Sequence, residues 1–276
     1  MTSANGPAIT LSVAHYLDQI PQEPARRART VYVVVDVIRA TTTLAVMCER
    51  GVRRVYVARD VNAARAARAA LPGALVAGEV AAVAPPDFDH GNSPEEWGHL
   101  EVAGRAVLFS TTNGARALHA SRGGGAIFAG SLRNATAVSQ AALAAARRLA
   151  AAGGGAGAEV LIVCSGRDSQ PSEDDSLCAA WLIATLRDVA GREETAVALD
   201  DAAAVALGAL DAPERASLGA TRWLYGRLLA TRPAQDVLVV GLGADIAWCA
   251  DLDASQAVPT VTGYDPARDL LIVERS

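Results

Sequence analysis

Val31-Tyr32-Val33-Val34-Val35-Asp36-Val37-Ile38-Arg39-Ala40-Thr41-Thr42-Thr43 is the stretch from which the fold can be read. Five consecutive β-branched or aromatic residues without polar alternation describe a strand buried on both faces, as in a parallel sheet. The run stops at a carboxylate, and a helix is expected over about 42–50. The same order recurs outward from it. Strands are expected at 55–57, 75–77, 107–109, 126–128 and 159–164, with helices over 61–70, after Gly114, over 134–152 and over 174–190. Asp60 is placed to cap the helix that begins at Val61. From Asp201 the pattern is mostly helical and closes on strands near 258–261 and 270–273. This alternation is the βαβ signature of an α/β fold, with a largely parallel sheet covered on both faces.

Two segments interrupt the rhythm. Residues 78–97, with Pro85, Pro86 and Pro94, read as irregular. Gly153-Gly154-Gly155 follows the long alanine stretch and marks a flexible turn at 153–157. It reads as a helix stop rather than a boundary, so residues 1–276 are taken as a single domain. No fixed-period repeat is visible.

All 25 basic side chains are arginine, and the chain contains no lysine. That excludes a P-loop, pyridoxal-phosphate chemistry and Schiff-base aldol chemistry in their usual forms. Hydrophobic residues make up 51% and charged residues 20%, which excludes a disordered chain. A net charge of −5 offers no broad basic field for nucleic acid or a membrane surface. An anionic ligand must then be held by local arginines and backbone amides. Cys48, Cys164, Cys178 and Cys249 form no CxxC pair, so neither a disulfide framework nor a zinc site is expected. Met1–Thr10 lacks the pattern of a signal peptide and no apolar run reaches a membrane span, so a cytoplasmic location is expected.

Three strands end in polar clusters that open helices: Asp36 to Thr43, Ser110 to Gly114, and Ser165-Gly166-Arg167 running on to Glu173-Asp174-Asp175. Carboxyl ends of parallel strands line ligand crevices, and helix N-termini there attract anions. Each cluster also has a plainer reading. Thr41, Thr42 and Thr43 include a helix cap, Asn113-Gly114 suits a turn, and Glu173-Asp174-Asp175 complements a helix dipole. Asp36, Glu79 and Glu173-Asp174 all follow expected strands, and clustered carboxylates call for a hard cation such as Mg²⁺. Familiar signatures fail. There is no Asp-x-Asp after the first strand, Cys164 and Arg167 are too close for a cysteine phosphatase, and no Gly-x-Ser-x-Gly elbow occurs. Asp236 to Ile246 only imitates a dinucleotide loop, because Ile246 stands where a third glycine belongs.

Taken in order, Asp36–Thr43 (DVIRATTT), Gly78-Glu79, Phe88–Pro94 (FDHGNSP), Thr111–Gly114 (TTNG), Gly130–Asn134 (GSLRN) and Ser172–Asp174 (SED) resemble the 2-phosphosulfolactate phosphatase family. Asp245–Asp251 and Val258-Pro259 are similar to that family's ending. Ala115 stands where family members often carry threonine or serine. The resemblance implies a three-layer α/β/α fold and a Mg²⁺-dependent hydrolase converting 2-phospho-3-sulfolactate and water to 3-sulfolactate and phosphate, within coenzyme M biosynthesis. It implies catalytic roles for Asp36, Arg39 and Glu79, and metal ligation by Asp36, Glu79, Glu173 and Asp174. Substrate contacts would come from Thr41, Thr42, Thr43, Asn92, Ser93, Thr111, Thr112, Asn113, Gly114 and Asn134. Whether Asp36 is a metal ligand or a nucleophile stays open. So do a phosphatase acting on another small phosphorylated hydroxy acid and a non-catalytic anion- or nucleotide-binding module using Gly241 and Gly243. The partner expected is a small anionic phosphorylated substrate, with no nucleic acid and no membrane. The alanine-rich helices could also pack a second copy into a homo-oligomer.

Overall fold

A computed structural model describes residues 9–153 and 156–276. The expected leader-free start, for residues 1–8, and the centre of the glycine turn, Gly154 and Gly155, lie outside the described residues. The strands are β1 (Ile9–Ala14), β2 (Thr30–Val35), β3 (Arg54–Ala58), β4 (Leu75–Gly78), β5 (Ala106–Ser110), β6 (Ala126–Gly130), β7 (Ala158–Cys164), β8 (Val197–Leu199), β9 (Pro259–Asp265) and β10 (Leu270–Arg275). They form one sheet in the order β4-β5-β3-β10-β9-β6-β2-β7-β1-β8. Helices cover it, giving the three-layer α/β/α architecture with a mixed, mostly parallel sheet.

β2 lies inside the sheet, between β6 and β7, and its residues alternate between two cores. Val31, Val33 and Val35 pack with the helices Ala135–Ala152 and Glu173–Arg192. Tyr32 and Val34 pack on the other face with the helix Ala40–Glu49. Burial on both faces is what the unbroken apolar run demands, at roughly 1.5–3 kcal/mol for each fully buried large side chain.

The sheet has two internally parallel blocks. β6-β2-β7-β1-β8 run one way, and β4-β5-β3 run together at the other end. Between them stands the β9–β10 hairpin, antiparallel to itself and to both neighbours. Three successive reversals make the two blocks run in opposite directions. In a flat sheet their carboxyl ends would then lie on opposite edges. Instead Gly114, beyond β5 in one block, lies against Asp36, beyond β2 in the other. The sheet therefore folds about the hairpin, and the two sets of strand ends converge. β6 and β9 share a single register pair, Phe128 with Thr260, and a bulge sits at Ile272/Val273. Irregular pairing of this kind lets a sheet bend.

The expected strands and helices are present to within a few residues of their ends. β1, β8 and the helix Pro94–His99 were not expected from the sequence. That helix lies in the segment read as irregular. It starts on an N-terminal proline, with Ser93 Oγ accepting from Glu96 N at 3.1 Å, a start signal easily hidden among three prolines.

Candidate active site

The converging strand ends enclose a cleft of about 540 Å³. The turn after β2 supplies Asp36 and Arg39, the loop after β4 supplies Glu79 and, further on, Asn92, and β5 is followed by Thr112 and Asn113. The loop after β7 supplies Ser165 to Asp168, and the start of the helix Glu173–Arg192 supplies Asp174 and Asp175. Six carboxylates (Asp36, Glu79, Asp168, Asp174, Asp175 and Asp236) face two guanidiniums, Arg39 and Arg167. A polyanion entering such a wall needs additional positive charge.

Asp36 is buried at the floor. Its Oδ1 accepts from Ala40 N at 3.2 Å, where the helix Ala40–Glu49 begins. Desolvation is the main reason its pKa is pushed up to about 7. The Ala40 amide opposes the shift, while the Asp174 and Glu79 charges add to it. Gly114 is required behind this carboxyl, because a Cβ there would stand 2.6 Å from Asp36 Oδ2 and 2.7 Å from Ala40 Cβ. Asp174 and Asp175 are also raised, chiefly by burial; for Asp175 the neighbouring Asp174 and Asp36 charges add to it. Ser172 donates to Asp174. Asp175 Oδ1 accepts from Val37 N at 3.0 Å, and its Oδ2 accepts from Ser165 Oγ at 2.9 Å and Gly166 N at 3.0 Å. Asp175 thereby pins the β2 and β7 turns together. Glu79 is aimed by two amides, accepting from Thr112 N at 2.7 Å and Ala82 N at 3.0 Å.

Arg39 is clamped. Its Nη1 donates to buried Asp245 at 2.7 Å and its Nη2 to Ala82 O at 2.6 Å. Asp245 Oδ1 also accepts from Ser93 Oγ at 2.6 Å. Asn92 Oδ1 is buried and has no hydrogen-bond partner among the described residues, while the residue lines the cleft. Among the described residues, no group of three or more His, Cys, Asp or Glu side chains is close enough to hold a metal ion. Asp36, Asp174 and the unpartnered amide oxygen of Asn92 are nonetheless hard oxygen donors on one cleft. Mg²⁺ commonly takes only one or two carboxylates, completing its shell with water and substrate phosphate. The donor chemistry fits that ion.

Of the residues assigned a site role from the sequence, Asp36, Arg39, Glu79, Asn92, Thr112, Asn113 and Asp174 line this cleft. The others do not. Thr41 Oγ1 donates to Asp36 O at 3.0 Å and Thr42 Oγ1 to Val37 O at 2.8 Å, bracing the turn, while Thr43 Oγ1 donates to Asn92 O at 3.3 Å and ties the helix to the segment after β4. Thr111 Oγ1 accepts from Ala115 N at 3.0 Å, and Ser93 serves the next helix and Asp245. Asn134 is fully buried, accepting from Ser131 and donating to Ala129 O and Ala257 O. Glu173, the first helical residue, is exposed and outside the cleft wall, with Asp175 turned inward instead. Arg167, Asp175 and Asp236 line the cleft without having been assigned a role from the sequence, although Arg167 and Asp175 belong to the polar cluster after β7. The dinucleotide-loop reading of Asp236 to Ile246 fails. Gly241 and Gly243 connect two helices, Arg232–Val239 and Ala244–Ala250, where such a loop must follow a strand. No helix among the described residues is long and apolar enough to cross a membrane.

The family model for 2-phosphosulpholactate phosphatase matches residues 15–263. A protein of Thermus thermophilus named probable 2-phosphosulfolactate phosphatase is 37% identical over 238 residues, covering 84% of this chain and 88% of its own. A Deinococcus radiodurans protein of the same name is 35% identical, covering 85% and 89%. One from Gloeobacter violaceus is 33% identical, covering 91% and 95%.

Proposed function

Since the chain belongs to the 2-phosphosulpholactate phosphatase family and is a phosphoric monoester hydrolase, we propose that it hydrolyses 2-phospho-3-sulfolactate to 3-sulfolactate and phosphate, with Mg²⁺ as cofactor. The observation that carries this reading is the convergence of Asp36, Glu79 and Asp174 on one cleft, from two strand ends and the start of a helix.

Asp36 and Asp174 are the residues that would hold the metal, with Asn92 Oδ1 as a further oxygen donor. Bound there, Mg²⁺ would supply the positive charge that the acidic wall lacks. Glu79 is held rigidly by two backbone amides, and its remaining lone pairs can accept a proton from a water aimed at phosphorus. The amide of Asn113 and the charge of Arg39, fixed by Asp245, face developing charge on the equatorial oxygens. Burial of the floor keeps bulk water away from these contacts.

The reading is tested by phosphate release from 2-phospho-3-sulfolactate, from 2-phospholactate and from 2- and 3-phosphoglycerate. The sulfonated ester should give the highest kcat/KM, and EDTA should abolish turnover until Mg²⁺ is restored. A higher kcat/KM on another hydroxy-acid phosphate would reassign the substrate. Full turnover in EDTA would sink the metal assignment.

A further inference from the structure

We propose that Arg167 grips a non-reacting oxyanion of the substrate, an inference that rests on the phosphatase reading above. Besides its phosphate, 2-phospho-3-sulfolactate carries a sulfonate and a carboxylate, and both need positive partners inside an acidic cleft. The described cleft wall offers two guanidiniums. Arg39 is committed, its side chain 2% exposed and bound to Asp245 and Ala82 O. The Arg167 side chain keeps 32% of its surface open and lines the same cleft, paired with Asp236 and, at 3.5 Å, with Asp168. A planar guanidinium fork matches a carboxylate or sulfonate through two parallel N–H donors.

The turn beneath Arg167 is built for placement. Arg167 N donates to Gln170 O and Gln170 N donates to Arg167 O, each at 2.8 Å. Gly166 has φ +65°, and a Cβ there would collide with Gln170 O. Asp168 and Ser169 occupy the left-handed region at φ 49° and 62°, a conformation that strains non-glycine residues. A tightened loop that spends stability on aiming one arginine into a cleft is what a recognition contact requires. Asp236 opposes it from the helix Arg232–Val239. It keeps the guanidinium directed inward and exchanges it for the incoming anion.

Sulfonate and carboxylate share the chemistry Arg167 would bind, and truncated esters separate them. Steady-state kinetics are run on 2-phospho-3-sulfolactate, on 2-phospholactate, which lacks the sulfonate, and on 2-(phosphooxy)ethanesulfonate, which lacks the carboxylate. Arg167→Ala and Arg167→Gln, both checked for native melting, should raise KM for the full substrate about 10- to 100-fold. Their kcat should stay within about threefold of wild type. The increase should persist on the truncated ester that keeps the gripped group and vanish on the other, which names the group. An unchanged KM for the full substrate overturns the proposal. An increase on both truncated esters, or on neither, overturns it as well, as does a fall confined to kcat. If the wild type hydrolyses none of the three esters, it is the substrate reading that has failed, a result distinct from any of these.

Discussion

Asp36 sets stability against use. Its ordinary pKa is 3.8, and burial lifts it to about 7 in the folded chain. The fold therefore holds this proton more tightly than the unfolded chain does. That stabilisation is complete below about pH 4 and is lost as pH rises through 7. A shift of this size corresponds to at most roughly 4 kcal/mol. Asp36→Asn keeps an acceptor for Ala40 N and carries no charge to bury. Without divalent cations, it should melt several degrees above wild type at pH 8, with the gap closing by pH 4. Its phosphate release should fall at least about 100-fold. Thermal melts across pH check this, and a lower melting temperature at pH 8 would contradict it. Asp36 and Glu79 were legible in the sequence because an acid at a strand end has few structural duties. Glu173, Asp174 and Asp175 were not separable. Adjacent helical residues point about 100° apart, and only the packing of the helix decides which two face inward. The threonines misled for another reason: a hydroxyl that braces a turn and one that binds phosphate look the same in a sequence.

Asn134 shows how an element junction can resemble a binding site. It closes the short turn between β6 and the helix Ala135–Ala152, and ties that junction to Ala257 ahead of β9 through Nδ2 at 2.9 Å. Its Oδ1 accepts from Ser131 N at 2.9 Å and Ser131 Oγ at 3.0 Å. Replacement by alanine leaves buried donors and acceptors unmet, at about 1–3 kcal/mol each. Asn134→Ala should therefore lower the melting temperature by roughly 5–10 °C, with kcat and KM of the folded fraction within about twofold of wild type. A tenfold rise in KM at an unchanged melting temperature would restore Asn134 to the substrate contacts. The elements themselves were legible, since apolar strand runs and alanine-rich helices differ in length and composition. The pairing was not. A sheet in which a C-terminal hairpin separates β3 from β6 depends on pairings far apart in the chain, Val57 with Leu271 and Phe128 with Thr260, and no local pattern encodes them. β8, three residues at an edge, carries too little pattern to be seen at all.

At the scale of the whole molecule, the site exists because distant parts of a folded sheet are locked together, and the buried Arg39–Asp245 pair is one of the locks. Asp245 arrives on a helix near the C-terminus, Arg39 on the turn after β2, and Ser93 and Ala82 on the long segment after β4. The ion pair is almost wholly removed from water, with side chains 2% and 1% exposed. Such a pair adds little over well-packed apolar groups, but breaking it by removing one partner strands a charge at about 3–5 kcal/mol. Asp245→Ala should therefore drop the melting temperature by roughly 10 °C and leave Ser93 Oγ without its acceptor. Adding Arg39→Met, a flexible apolar side chain of similar length, should restore much of that loss because no buried charge remains. Activity should behave oppositely. Arg39 brings positive charge to a wall dominated by carboxylates, in a chain with no lysine to substitute for it. The double variant should thus be more stable than Asp245→Ala, yet at least about 100-fold slower than wild type in phosphate release. Melts and kcat measured on both single variants and the double variant separate the two roles. If the double variant regained activity along with stability, Arg39 would be a brace for the cleft and nothing more.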